Sequence, residues 1–261
     1  MKNIFFTSIF LLFVLISCNS DSTDAAPTAP AAGTLKKITE KVYYSGGGSS
    51  GGSESTVDFV YENGVLSSMN SGVNKAVLTY NGDKISEIKI YQNNVLRGTN
   101  VFTYNGSNLM KVENNDNDEK TEFTYTNGVL ATEKSSYKNG STWTVLDNTS
   151  YTFNSTGNVV QTKRSFSSST LFTQNHEYDD KNGVYKKMNP YLRYVVNAES
   201  FDSKSENNLT KTFSVEQGSA PVLQNNYLIL YNAADYPISI KKFNVQNGAN
   251  TLISECEIQY N

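Results

Sequence analysis

Apolar and polar residues alternate along most of this chain, and the alternation repeatedly ends at a tyrosine followed by a turn signal. Val57, Phe59 and Tyr61 share one face of an extended segment, with Thr56, Asp58 and Val60 on the other. Phe102 and Tyr104 oppose Thr103, and Thr121, Phe123 and Tyr125 oppose Glu122, Thr124 and Thr126. Near the end, Leu252, Cys256, Ile258 and Tyr260 oppose Glu255, Glu257 and Gln259. A period of two with one apolar face predicts strands buried on one side only. Asn63-Gly64, Asn81-Gly82, Asn105-Gly106, Asn127-Gly128 and Asn182-Gly183 follow the aromatics and supply the positive φ angles of tight hairpins. No helical period competes with this pattern.

The anchor aromatics are Tyr61, Tyr80, Tyr104, Tyr125, Phe153, Tyr178, Phe201, Tyr231 and Tyr260. Their spacing leaves room for about two strands per unit, which predicts an all-β fold: a long antiparallel meander of roughly 16–18 strands. Such a meander must hide two edges, so the sheet is expected to close into a barrel or flatten against itself. A round barrel of that size is too wide for its own side chains to fill, which leaves a lumen or a flattened section. Pro190, Pro221 and Pro237 fall where a loop or a strand start tolerates them. The segment 45–53, rich in Gly and Ser, reads as a long flexible loop after a first strand over about 36–44.

The chain begins as an export signal, with Lys2 ahead of a short apolar stretch, Ile4 to Ile16, that is too short to span a bilayer as a helix. Leu15-Ile16-Ser17-Cys18 resembles the lipobox of bacterial lipoproteins, which implies cleavage before Cys18 and acylation of that residue. Several acyl chains on one residue give stable anchoring. The organisation expected is a signal peptide over 1–17, acylated Cys18 and a flexible tether over 18–34, and a β-hairpin-repeat domain over 35–261. With Cys18 acylated, Cys256 has no partner for a disulfide. The net charge of −3 and the interleaving of Lys with Glu and Asp exclude the basic stripe that nucleic-acid binding needs. A barrel inserted in the membrane needs an apolar outer band, whereas one strand face here carries Lys89, Glu122, Glu255 and Glu257.

The repeated unit resembles YD repeats, the Tyr-Asp-centred hairpins of Rhs and teneurin shells. Position by position, the terminal aromatics of that pattern are Tyr61, Tyr80, Tyr104, Tyr125, Phe153, Tyr178 and Tyr231, and its turn glycines are Gly64, Gly82, Gly106, Gly128, Gly157 and Gly183. The Asp is kept at Asp179 and Asp202. The chain also resembles Bacteroidota lipoprotein families with a porin-like fold, which implies an architecture and a cell-envelope location but no activity.

Few residues are candidates for chemistry. His176, the single histidine, occupies the slot held elsewhere by Phe59, Leu78, Phe102, Phe123, Tyr151, Ile229 and Ile258, so the register places it on the apolar face with Glu177 on the other. That excludes a His–carboxylate dyad, and one His with one thiol is too few for zinc. Glu255 and Glu257 share the polar face and read as surface charge. Asp116, Asp118 and Glu119 gather carboxylates in one hairpin loop, a candidate Ca²⁺ site or else a solvated turn. Tyr191, Tyr194 and Trp143 lie off the anchor register and are the candidate ligand-binding aromatics, with cross-strand packing as the alternative.

The expectation is a lipid-anchored outer-membrane lipoprotein on the periplasmic or cell-surface side, not an enzyme and without a cofactor. Its role would be a binding module for glycan or another extracellular ligand. The alternative is a structural or interaction lipoprotein. The expected partners are the membrane, through the lipid, and a glycan or envelope protein, with no nucleic acid.

Overall fold

The alternating segments become sixteen strands in the structure, a computed structural model that describes residues 32–44, 51–114, 116–166, 171–196, 201–216 and 218–261. The first eight are β1 (Leu35–Tyr44), β2 (Gly51–Glu62), β3 (Val65–Ser71), β4 (Asn74–Asn81), β5 (Lys84–Gln92), β6 (Val95–Asn105), β7 (Asn108–Asn114) and β8 (Glu119–Thr126). The second eight are β9 (Val129–Asn139), β10 (Thr142–Phe153), β11 (Val159–Phe166), β12 (Leu171–Tyr178), β13 (Leu209–Val215), β14 (Val222–Tyr231), β15 (Pro237–Gln246) and β16 (Ala249–Tyr260). Each pairs antiparallel with its sequence neighbour, and β1 pairs with β16, so the meander closes into a barrel. Closure is fastened past the strands, where Asn261 N–H donates to Thr34 O (2.9 Å) and Gly33 N–H to Asn261 O (3.2 Å). The signal segment and Cys18 lie outside the described residues, as do residues 45–50 of the Gly/Ser stretch. Residues 51–53 of that stretch are not loop but the start of β2, extended by pairing with β1.

A β-bulge explains the tyrosine rule. In each regular unit the register shifts just before the anchor: Thr79 pairs with Glu87 but Tyr80 with Ile85, and Thr103 pairs with Lys111 but Tyr104 with Leu109. The extra residue sits on the partner strand, so the anchor strand keeps its alternation and the tyrosine still points inward. Two of these extra residues are serines, and Ser67 and Ser86 return their hydroxyls to the carbonyls of Val60 and Thr79, each at 3.1 Å. The bulge also leaves an inward residue beyond the next ladder. The pairing of β5 with β6 ends at Glu87, and Tyr104 OH donates to the Ile85 carbonyl (2.8 Å). Tyr80 does the same for Leu66 (2.9 Å) and Tyr125 for Leu109 (2.9 Å). A backbone carbonyl without a strand partner thus receives a side-chain donor from the following unit.

The turns divide into two types. Asn63-Gly64 and Asn127-Gly128 both have positive φ at the two positions, the geometry that matches strand twist. At Gly82 and Gly106 only the glycine is positive, and the preceding Asn is the last residue of its strand. Asn182-Gly183 is not a hairpin at all. It lies in the connection from β12 to β13, residues 179–208, an excursion between strands that pair directly at Tyr178 and Leu209.

The described parts of that connection, 179–196 and 201–208, enter the barrel and plug its tyrosine-turn end. Leu192, in a 3-10 turn Leu192–Tyr194, is fully buried, and Val184, Tyr185 and Phe201 join the core of Leu66, Ile85, Leu109 and Phe123. Phe201, expected to end a strand, is instead buried here against Tyr185. Gly183 N–H donates to Glu206 O (2.9 Å), and a Cβ at Gly183 would meet that same oxygen at 2.8 Å, so only glycine fits. Arg193 holds the returning limb: its guanidinium donates to Ser203 O (2.9 Å), Lys204 O (3.1 Å), Ser205 O (2.6 Å) and Glu206 Oε1 (2.8 Å). Asp202 accepts from Tyr178 OH (2.9 Å), from Ser205 and from Lys204 N–H (2.9 Å), while Asp179 accepts from Tyr231 OH and Asn208 N–H (3.1 Å).

The outer wall is charged. Lys41 lies near Glu54 (3.6 Å) and Glu255 (3.9 Å), Glu122 near Lys134 (3.0 Å) and Lys120 (3.3 Å), and Glu177 near Lys211 (2.8 Å). Ion pairs on this wall would have to be desolvated for the barrel to sit in hydrocarbon.

Candidate functional site

Beyond the plug, described residues line three adjoining cavities of the lumen, and their chemistry differs. The first, about 400 Å³, is walled by β6 to β11 and the plug and presents Glu133, Asp147, Arg164 and Lys204 among Thr121, Ser135 and Thr149. These four charges are paired with one another: Arg164 Nη2 lies 2.9 Å from Asp147 Oδ2 and Lys204 Nζ 3.4 Å from Glu133 Oε2. Tyr151 OH donates to Glu133 (2.8 Å), and Lys204 sits over the Tyr151 ring. Paired in this way, the side chains offer fixed donors and acceptors at little reorganisation cost.

The second cavity, about 360 Å³, faces the opposite wall. Val57, Phe59, Met69, Ala76 and Ile90 line it from β2 to β5, and Val195, Val196 and Phe201 from the plug. Ser55, Ser71, Asn74, Glu40 and Lys75 are among its polar residues, Ser71 and Asn74 flanking the turn at the end away from the plug. The third, about 270 Å³, contains His176. Its ring nitrogens lie 3.2 Å from Thr162 Oγ1 and 3.5 Å from Thr212 Oγ1. Burial lowers its pKa, partly countered by Asp202, so the imidazole is neutral at pH 7. Cys256, buried beside Glu40, has its thiol pushed up to about 12 by desolvation, which leaves no thiolate.

The structure disperses the aromatics singled out from sequence. Tyr191 sits in the plug, its ring edge-on to Tyr104 (4.9 Å between centroids) and its hydroxyl donating to Ser107 O (2.9 Å). Tyr194 packs near Phe123 (5.9 Å) and borders the charged cavity. Trp143 is on β10 under Lys120, whose ammonium lies 4.7 Å from its ring centre, and takes no part in the lumen walls. The acidic loop does not converge either. Asp116 accepts from Thr99 N–H (3.0 Å), Asp118 lies 3.7 Å from Lys138, and Glu119 borders the charged cavity. Among the described residues no group of three His, Cys, Asp or Glu side chains is arranged around a metal position. Glu177 faces outward to Lys211, away from His176, and Glu255 accepts from Tyr43 OH (2.5 Å) on the outer wall.

Glu133, Asp147, Arg164 and Lys204 were not singled out from sequence. Three of them occupy inward register positions: Glu133 pairs with Phe123, Asp147 with Ser135, and Arg164 with Thr149. A charged residue in a slot that the repeat reserves for apolar side chains is the available signal.

A closed sixteen-stranded antiparallel barrel with an internal plug is the class of molecule this defines. No protein-family model matches the sequence, and no curated protein matches it. Among solved structures, the chain is similar in fold to a porin-like protein from Bacteroides uniformis, with a TM-score of 0.57 and 10% identity over 89% of this chain and 100% of that one. A porin-like protein from Bacteroides vulgatus gives a TM-score of 0.43 at 13% identity, covering 87% and 98% of the two chains. The Photorhabdus luminescens Tc holotoxin pore gives 0.32 at 14% identity, covering 76% of this chain and 9% of that one. The first of these likenesses is one of fold.

Proposed function

We propose that this is a non-catalytic binding module of the cell envelope, tethered at the outer membrane through acylated Cys18, that takes a glycan or other small extracellular ligand into its lumen. The observation that carries the reading is the plug: it closes one end of the barrel and leaves walled cavities beyond it, one charged and one apolar. Concave sites with a few convergent polar groups are the usual seats of small ligands. The charged outer wall supports a barrel held in water by a tether, on the periplasmic or the cell-surface side. The neutral His176 and protonated Cys256 offer no activated nucleophile, in keeping with a binding role. A thermal-shift screen of the full chain against glycans and lipids tests the role, with stabilisation by a lumenal ligand expected and a null screen counting against it. Mass spectrometry of the protein from its native host tests the tether, and an unmodified Cys18 would remove it.

The structural or interaction role has its own support in exposed apolar residues. Leu228 and Leu230 on β14 and Ile238 on β15 are respectively 56%, 57% and 41% exposed. A neighbouring trio of this kind is suited to a protein partner. Capture of an envelope protein by the wild type, lost with Leu228→Lys and Leu230→Lys, would favour that role over lumenal binding.

A further inference from the structure

We propose that the apolar cavity receives the acyl tail of a single-chain amphiphile whose neutral polar head lies at the rim formed by Ser55, Ser71 and Asn74. This rests on the lumenal-binding reading and names its ligand class. The plug covers only part of the inner wall: Ile85 and Leu109 are fully buried, while Val57, Met69, Ala76 and Ile90, which line the cavity, remain partly exposed. An apolar wall left facing water favours an apolar guest. The size suits a chain. An apolar cavity of about 150 Å³ holds a benzene ring, and this one is about 360 Å³, which scales to roughly a dozen carbons. The rim adds two hydroxyls and an amide, which can hydrogen-bond a sugar or glycerol head. Glu40 and Lys75 border the same cavity with charges of opposite sign, so a neutral head is selected by the hydroxyls and amide of the rim and not by charge. In the charged cavity the ion pairs Arg164–Asp147 and Lys204–Glu133 interrupt the apolar lining, which directs the tail to the other side.

The test uses the full chain carrying Cys18→Ser, so that no acyl group of its own competes, with dodecyl maltoside below its micellar concentration, maltose and laurate as probes in calorimetry. Dodecyl maltoside is expected to bind, maltose to show no binding, and laurate, which lacks the sugar hydroxyls that meet the rim, to bind more weakly. Ala76→Trp, which fills the cavity, and Met69→Glu, which charges its wall, are each expected to weaken dodecyl maltoside about tenfold or more. Lys163→Trp on the outer face of β11 should leave it unchanged. A photoactivatable diazirine on the tail removes dependence on the variants, and in the wild type its label is expected on Met69, Ala76 or Ile90. Labelling elsewhere, or wild-type affinity in both folded cavity variants, overturns the proposal. Maltose binding as tightly as dodecyl maltoside overturns the tail while leaving lumenal binding intact. Silence from all three probes overturns this proposal, and only a null broader screen removes the lumenal reading as well.

Discussion

The first and second halves of the barrel use the same tyrosine for different purposes. From β3 to β8 the anchor hydroxyls of Tyr80, Tyr104 and Tyr125 each donate to a backbone carbonyl of the preceding unit, so one unit is joined to the next. From β12 onward the anchors Tyr178 and Tyr231 donate to carboxylates, Asp202 and Asp179, as Tyr151 beside the anchor Phe153 does to Glu133, while the buried hydroxyl of Tyr260 has no hydrogen-bond partner among the described residues. Two of those carboxylates belong to the plug. Phe153 has no hydroxyl to donate, and the repeat changes character there. The lumen follows the same division, apolar before β2 to β5 and ionic before β8 to β11. One local rule thus builds a scaffold where the acceptor is a carbonyl, and docks an insertion where it is a side chain.

The largest expected effect comes from Arg193→Met. It leaves three plug carbonyls without their donor and Glu206 without its partner, and should cost about 3–5 kcal/mol in urea unfolding. The loss is expected to appear as early exposure of the plug limb around Ser203 to Glu206, while the strand ladders of β3 to β8 stay protected. Next, Tyr178→Phe is expected to cost about 2 kcal/mol, because a carboxylate loses a donor, against about 1 kcal/mol for Tyr104→Phe, where the acceptor is a neutral carbonyl. Equal losses would erase the distinction between the halves. Burial keeps the corresponding Tyr80 hydroxyl protonated, its pKa pushed up to about 12, so these donors do not titrate near neutrality.

The smallest effect is one of pH. Burial holds the folded pKa of His176 below its ordinary 6.5, so the unfolded chain binds the proton first as pH falls. The contribution is complete above that value and is lost progressively below it. His176→Asn should therefore flatten the acid side of the stability profile, measured as urea midpoints across pH 5 to 7. An unchanged slope would mean that the third cavity is wetter than its lining implies.

The scaffold was legible because its signals are local. Alternation, the anchor tyrosine and the turn dipeptide lie within ten residues of one another, and the single extra bulge residue per unit accounts for part of their drift. The plug was not legible, because Tyr178-Asp179 and Asn182-Gly183 look like another hairpin while the chain turns inward instead. Two signs were available: the copy around Phe201 lacks a turn glycine, and Tyr191 and Tyr194 fit no register. Both tyrosines prove to be plug residues packed on Tyr104 and Phe123. The charged cavity depends on closure, which brings Lys204 of the plug to Glu133 of β9 across about seventy residues of sequence.

Amide hydrogen exchange over residues 179–208 of the wild-type protein tests most directly whether this connection is folded inside the barrel. The amides of Gly183, Leu192 and Val195 donate to the carbonyls of Glu206, Asn189 and Leu192 and should exchange nearly as slowly as those of β12 and β13. Exchange as rapid as that of the exposed turn residue Asn94 would contradict a seated plug, and with it the blind lumen.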